Sequence, residues 1–347
     1  MIEAIKTEVE KINEALSGKK KIAVITHYNP DGDAIGSQTA LLLYLRKRGF
    51  DVSALVPNDF PGFLKWMKGA DEIIVHFNHA KTARKVIEEV EVIICVDFNT
   101  PLRMKELGGI IKKSNALRIL IDHHPNPDDC FHYGISHIEA SSTAELIYNF
   151  IVLSGDEHLI DKDIAESIFA GIISDTGCFS YNSSCPELFI TTANLFKYGI
   201  QKDKIYNLLY DNFSYYRLKL MGYCLNEKMI VLPHFHAAYI WLTQEEMEKY
   251  NFSPGDSEGF VNLPFSIKGV HITALFTEKP DHIRISFRSR GGFPVNKISE
   301  QYFEGGGHVS AAGGESKLSM KETLEKFEKI LELHKKEIES IAWFETL

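Results

Sequence analysis

Between residues 21 and 122 the chain repeats one short theme, an apolar run and then a helix-length stretch, and three of the runs lead straight into an acid or histidine. The runs are Lys21–Thr26, Asp51–Val56, Ile73–Phe77, Val92–Asp97 and Leu117–Ile121. Apolar runs of this length separated by helical segments predict parallel strands buried on both faces of a doubly wound α/β sheet. An amphipathic helix is expected over Glu3–Leu16, another over Ala34–Arg48 with Gly49 as its stop, and a third over Asp161–Ser174.

After residue 185 the pattern changes. Residues 186–222, rich in Phe and Tyr, read as helices of a connector. From about residue 230 strands dominate, with a hairpin expected from His271–Thr277 and His282–Ser289, and a charged helix from Met320 to Ser340. A chain of 347 residues suits two domains. The expected plan is an α/β domain over residues 1–185 with a mainly parallel sheet, a helical connector over 186–222, and a smaller α/β domain over 223–347.

Composition narrows the setting. Residues 1–21 mix charged and polar side chains, unlike a signal peptide, and no apolar run is long enough for a bilayer. Five cysteines without C-x-x-C spacing support neither a disulfide framework nor a thiolate zinc site, so a cytoplasmic protein with no membrane partner is expected. The net charge of −9 argues against coating duplex nucleic acid, which needs a broad basic surface.

The chemistry collects at the element ends. His27 closes the first run and is followed by Asn-Pro-Asp31-Gly-Asp33, a tight loop projecting two carboxylates. Val92–Val96 leads into Asp97, Leu117–Ile121 into Asp122-His123-His124, and the third helix ends near Asp175. Each is explicable alone as a cap or a turn; four such sites, at the ends where an open α/β sheet gathers its ligands, point to one centre. Its two imidazoles and four carboxylates suit two divalent cations, Mn²⁺ or Mg²⁺ rather than a thiolate-preferring ion. Such a pair polarises a phosphoryl oxygen and makes a water nucleophilic at neutral pH, the chemistry of phosphate-ester hydrolysis. In the last third, Arg284, Arg288, Arg290 and Lys297 fall in an acid-free stretch, 282–299. Strand alternation separates Arg284, Ser286 and Arg288 from Ile283, Ile285 and Phe287. Close by, Gly305–Gly307 are expected to form a loop whose amides approach a phosphate.

The Asp122-His123-His124 triplet, the loop from His27 to Asp33 and the stretch from Gly305 through His308 to Gly314 together resemble the DHH phosphoesterase family. The likeness is closest to the compact branch that degrades very short RNA and dephosphorylates 3′-phosphoadenosine 5′-phosphate (pAp). The resemblance implies that His27, Asp31 and Asp97 hold one ion, and that Asp33, Asp97, His123 and Asp175 hold the other, Asp97 bridging. It further implies that Asp122 orients an imidazole and that His124 assists the leaving oxygen, by hydrogen bonding or as a general acid. Ser142-Thr-Ala-Glu145 matches a family motif and reads as structural support. The second domain would bind substrate through Arg288, Gly305, Gly306, Gly307 and His308. Short RNA or a nucleotide is then the expected partner, and a homodimer is compatible with the sequence. Two other readings stay open. A soluble phosphodiesterase for cyclic or linear dinucleotides would use the same residues, and a non-catalytic nucleotide-binding protein would lack a metal ligand, whereas none is missing.

Overall fold

The structure, a computed structural model, describes residues 2–341. The chain forms two compact units, Met1–Asn212 and Phe213–Leu347. The first runs α1 (Ile2–Leu16), β1 (Lys21–Ile25), α2 (Gly32–Lys47), β2 (Asp51–Val56), β3 (Ile74–Val75), α3 (His76–Glu89), β4 (Val92–Val96), α4 (Glu106–Lys113), β5 (Leu117–Asp122), β6 (Tyr133–Ser136), α5 (Thr143–Leu153), α6 (Lys162–Asp175), α7 (Pro186–Phe196) and α8 (Lys202–Tyr210). All its strand pairings are parallel, in the order β3-β2-β1-β4-β5-β6.

Alternate residues of each central strand feed two cores, which is why the runs are apolar throughout. Ile22, Val24, Ile94 and Ile119 join α1, α2, α5 and α6 on one face. Ala23, Ile25, Ile93, Cys95 and Leu120 pack with α3 and α4 on the other. The strand order reverses between β1 and β4, so the chain leaves those two neighbouring strands in opposite directions and opens a crevice at their carboxyl ends. α2 and α6 cross closely there. A Cβ on Gly36 would stand 2.6 Å from the Ser167 carbonyl oxygen, and one on Gly171 would stand 2.5 Å from the Ala144 Cβ. Glycine at both positions brings the start of α2 and the end of α6 together.

The second unit runs α9 (Tyr215–Tyr223), β7 (Met229–Leu232), β8 (Ala237–Leu242), α10 (Gln244–Lys249), β9 (Ile272–Glu278), β10 (Ile283–Ser289), α11 (Val295–Tyr302), β11 (Gly306–His308), β12 (Ala311–Ser316), α12 (Met320–Leu333) and α13 (Lys335–Ser340). Its sheet, ordered β11-β12-β10-β9-β8-β7, is antiparallel except where β8 meets β9. The β9–β10 hairpin falls where the alternation put it. Ile283, Ile285 and Phe287 are buried with Phe327 of α12, and Arg284, Ser286 and Arg288 occupy the opposite face.

Four expectations are corrected. Residues 186–222 are not a separate connector: Leu188, Leu195, Ile205 and Leu209 of α7 and α8 join the first core, whereas Leu220 of α9 joins a core of the second unit. The run at Ile73–Phe77 is strand only at Ile74–Val75, and α3 begins at His76. The Gly305–Gly307 segment is not a loop, because Gly306–His308 form the edge strand β11. The C-terminal helix is broken at His334. Residues 342–347 of the expected second domain lie outside the described residues.

Candidate metal centre

Every residue expected at the centre in the first unit comes from the carboxyl end of β1, β4 or β5, from the start of α2, or from the end of α6. His27 lies two residues past the end of β1. Asp31 caps α2, its Oδ1 accepting from the Asp33 and Ala34 amides at 3.1 Å each. Asp97 follows β4 with φ of 65°, a left-handed conformation uncommon outside glycine but tolerated by Asp. This turns its carboxylate sideways, between the histidines.

The Asp97 Oδ2 lies 3.3 Å from His27 Nε2, and its Oδ1 lies 3.6 Å from His123 Nε2. Both imidazoles are oriented from behind. His27 Nδ1 pairs with the Tyr28 carbonyl at 3.0 Å and His123 Nδ1 with the Ala140 carbonyl at 3.3 Å. A carbonyl only accepts, so each Nδ1 carries a proton, and in the neutral ring each Nε2 presents a lone pair to the carboxylates. Donor atoms of His27, Asp31 and Asp97 lie within 4.8 Å of one another, as do those of Asp33, His123 and Asp175. His123 Nε2 is 3.6 Å from Asp175 Oδ2 and 4.0 Å from Asp33 Oδ2. Neutral imidazoles and clustered carboxylates are a donor set that fits hard divalent cations.

The electrostatics agree. Burial, with Asp175 next in weight, pushes Asp33 up to about 7. Burial and then Asp33 raise Asp97 well above the carboxylate range. Burial lowers His27 to about 4, aided by the Arg103 charge. Burial also opposes protonation of His123, but Asp175, Asp33 and Asp122 outweigh it and raise that residue. Buried acids this close repel one another strongly unless cations offset them.

The Ser142–Glu145 segment does more than support the fold. Ser142 caps α5 by accepting from the Glu145 amide, and Glu145 accepts in turn from Ser141. The amides at the start of α5 have no partner within the helix. Two of them go to Asp33: Thr143 N–H donates to Oδ2 at 2.7 Å and Ala144 N–H to Oδ1 at 2.9 Å. The Thr143 hydroxyl donates to Asp97 Oδ1 at 3.0 Å. A capping-box pattern marks such a helix start in sequence, but not where its spare donors point.

Asp122 faces His124, whose Nδ1 donates to Asp122 Oδ1 at 2.7 Å. The other ring nitrogen departs from expectation. Arg103 Nη1 lies 2.9 Å from His124 Nε2, and because a guanidinium only donates, Nε2 accepts. It carries no proton for a leaving group in this arrangement. Burial, then Arg103, hold the His124 pKa well below its usual value. Arg103 was not anticipated.

In the second unit Arg288 and His308 both register with Ala311 of β12, in one row across three strands. Arg284 registers with Glu315 instead. The glycines have packing reasons. A Cβ on Gly305 would lie 2.0 Å from the Gly313 carbonyl oxygen, and one on Gly307, at φ of 144°, would lie 2.5 Å from that of Ala311. Only at Gly306 is there room for a side chain, with nothing nearer than 3.8 Å.

Fold and donor set together define a class, the metal-dependent phosphoesterases. The chain belongs to the DHH family. The model of the DHH family N-terminal domain matches residues 21–172, and that of the DHHA1 domain matches residues 234–340. A probable bifunctional oligoribonuclease and PAP phosphatase NrnA of Streptococcus mutans is 30% identical over 301 residues, covering 85% of this chain and 89% of that protein. The bifunctional oligoribonuclease and PAP phosphatase NrnA of Bacillus subtilis is 28% identical over 289 residues, 83% and 86% of the two chains. The crystal structure of an exopolyphosphatase-related protein from Bacteroides fragilis superposes with a TM-score of 0.91 at 40% identity, covering 96% of this chain and 98% of that one. Among the described residues no helix is long and apolar enough to cross a membrane.

Proposed function

We propose that this phosphoesterase hydrolyses short oligoribonucleotides and pAp, using two divalent ions, Mn²⁺ before Mg²⁺. The observation that carries the reading is Asp97, whose two oxygens face the lone pairs of two different histidines. His27, Asp31 and Asp97 would hold one ion; Asp33, Asp97, His123 and Asp175 would hold the other. Bound there, the pair would supply Lewis-acid polarisation and a water that ionises at neutral pH. The protein's own work is orientation. The Tyr28 and Ala140 carbonyls fix the two imidazoles, the start of α5 fixes Asp33, and the Thr143 hydroxyl fixes Asp97. In the second unit, Arg288 and His308 would grip a phosphate of the nucleotide, with the Gly305–Gly307 backbone beside them.

The choice of substrate is supported by the two relatives named for oligoribonuclease and PAP phosphatase activity. Five free cysteines fit a cytoplasmic setting. The test is side-by-side kinetics on pAp, a linear dinucleotide, a long single strand, a duplex and a cyclic dinucleotide, with Mn²⁺, Mg²⁺ or a chelator. The expected result is turnover of pAp and the dinucleotide, loss in chelator, and little action on long or duplex strands. Preference for the cyclic dinucleotide would favour a dinucleotide phosphodiesterase, and turnover in chelator would overturn the metal assignment.

A further inference from the structure

We propose that Arg103 is a catalytic residue that holds a non-bridging oxygen of the scissile phosphoryl group, and that Asp122 and His124 position it. The inference rests on reading the centre as a phosphoesterase site, and it assigns that site a phosphate-binding group.

The residue is rigidly mounted. Residues Pro101–Met104 form a single turn whose start is fixed by proline and by the Thr100 hydroxyl, which accepts from the Leu102 amide at 3.4 Å. Met104 anchors the turn in the core beneath. The Arg103 carbonyl accepts from the Tyr28 amide at 2.8 Å, tying the turn to the loop that carries His27 and Asp31. The backbone that carries the guanidinium is therefore fixed relative to the loop bearing His27 and Asp31.

A hydrogen-bond chain then aims it. Asp122 Oδ1 accepts from His124 Nδ1, and His124 Nε2 accepts from Arg103 Nη1. His124 Nδ1 itself lies 3.8 Å from Asp97 Oδ1, so the guanidinium stands one imidazole away from the carboxylate shared by the two donor groups. Arg103 forms no ion pair within 4.0 Å among the described residues. An arginine there to neutralise a carboxylate would pair with one. This one spends a single N–H on a neutral ring, keeping its charge and most of its donors for another acceptor. Its charge also reaches both His27 and His124, contributing to the lowered pKa of each.

A phosphoryl group suits that acceptor position, because a planar fork matches two of its oxygens. In hydrolysis the water oxygen bonds to phosphorus while the bond to the ester oxygen breaks, that oxygen leaving with the electron pair. The proton lost by water balances the one the leaving oxygen gains. Charge spread over the non-bridging oxygens would meet a donor already in place. Arg103 neither gives nor takes a proton in this step.

The test uses the full chain with Mn²⁺ and inorganic orthophosphate as probe, alongside turnover of pAp and Mn²⁺ content. Arg103→Ala should lower kcat by about 10²–10³-fold and weaken orthophosphate binding about 10–150-fold, with Mn²⁺ content unchanged. Added guanidinium should restore part of both, and Arg103→Lys should lie between. His124→Ala should weaken orthophosphate binding in the wild type but add little in the Arg103→Ala background, since both act through one contact. Unchanged orthophosphate affinity in Arg103→Ala, no rescue by guanidinium, or loss of Mn²⁺ would overturn the assignment. If Arg103→Ala does not fold, Arg103→Lys decides by the same readouts. A wild type that binds orthophosphate through Arg103 but cleaves neither pAp nor dinucleotides would sink the substrate reading and leave this inference standing.

Discussion

Gly171→Ala tests whether the close packing of α6 against α5 and the start of α2 sets the geometry of the candidate metal centre. The new Cβ would lie 2.5 Å from the Ala144 Cβ and 3.0 Å from Asp33 Oδ1. Ordinary carbon contacts are about 3.5–4.0 Å, so α5 and α6 must part by roughly 1 Å. Overpacking of this kind costs about 1–3 kcal/mol, against roughly 1 kcal/mol gained by replacing a helical glycine. The net loss should reach about 2 kcal/mol, or ~4–8 °C in Tm for a unit of this size. The functional loss should be larger in proportion, because Asp33 is held by α5 and packed against Gly171. A displacement near 1 Å at a reacting centre costs about 10²-fold in rate. Thermal melts in chelator, Mn²⁺ titration and pAp turnover read the three consequences. Gly109→Ala is the control: it lies in α4 with no atom within 4 Å of the added Cβ, so it should gain ~0.4–1 kcal/mol and leave activity intact. If Gly171→Ala melts at or above wild type with full Mn²⁺ affinity, the close crossing does not position the site.

Arg288→Ala should mainly raise KM for pAp, by about 10–150-fold for a lost charge-assisted contact, and scarcely affect a small chromogenic phosphodiester; equal damage on both would make Arg288 structural. Chelated protein should lose stability as pH rises from 6.5 to 8. His27 and His124, whose folded pKa values are depressed, oppose this only near pH 6.5, where the unfolded imidazoles are still partly protonated, and are neutral in both states toward pH 8. Asp33, raised to about 7, together with Asp97 and His123, also raised, binds more protons folded than unfolded, and that sign makes stability fall with pH. A melting temperature that rises between pH 6.5 and 8 in chelator would contradict this; added Mn²⁺ should stabilise most at the upper end.

The buried strands were legible because both faces are covered, which leaves a continuous apolar signature. β6 was not: of Tyr133-Gly-Ile-Ser136 only Ile135 is buried, so an edge strand looks like a loop. α5 escaped for the opposite reason, since Thr143 to Ile151 are buried all round and no amphipathic period shows. The clustered acids and histidines announced themselves by falling at element ends. Arg103 and Thr143 did not, because their partners are distant in sequence: Thr143 meets Asp97 across 46 positions and Arg103 meets His124 across 21. The glycines at 305–307 were read for phosphate approach, and close packing against β12 is a further reason for glycine at Gly305 and Gly307 that the sequence did not show. Glycine reports a need for space without saying what fills it.

The bridging role proposed for Asp97 is tested most directly by counting Mn²⁺ ions per chain, by titration calorimetry, in wild type and Asp97→Asn. The wild type should take up two, and Asp97→Asn, whose neutral amide lacks the shared charge, should fail to retain the pair and lose turnover of pAp with it. Two ions still tightly bound by Asp97→Asn, or more than a few per cent of wild-type turnover with Mn²⁺ present, would contradict the two-ion centre as drawn here.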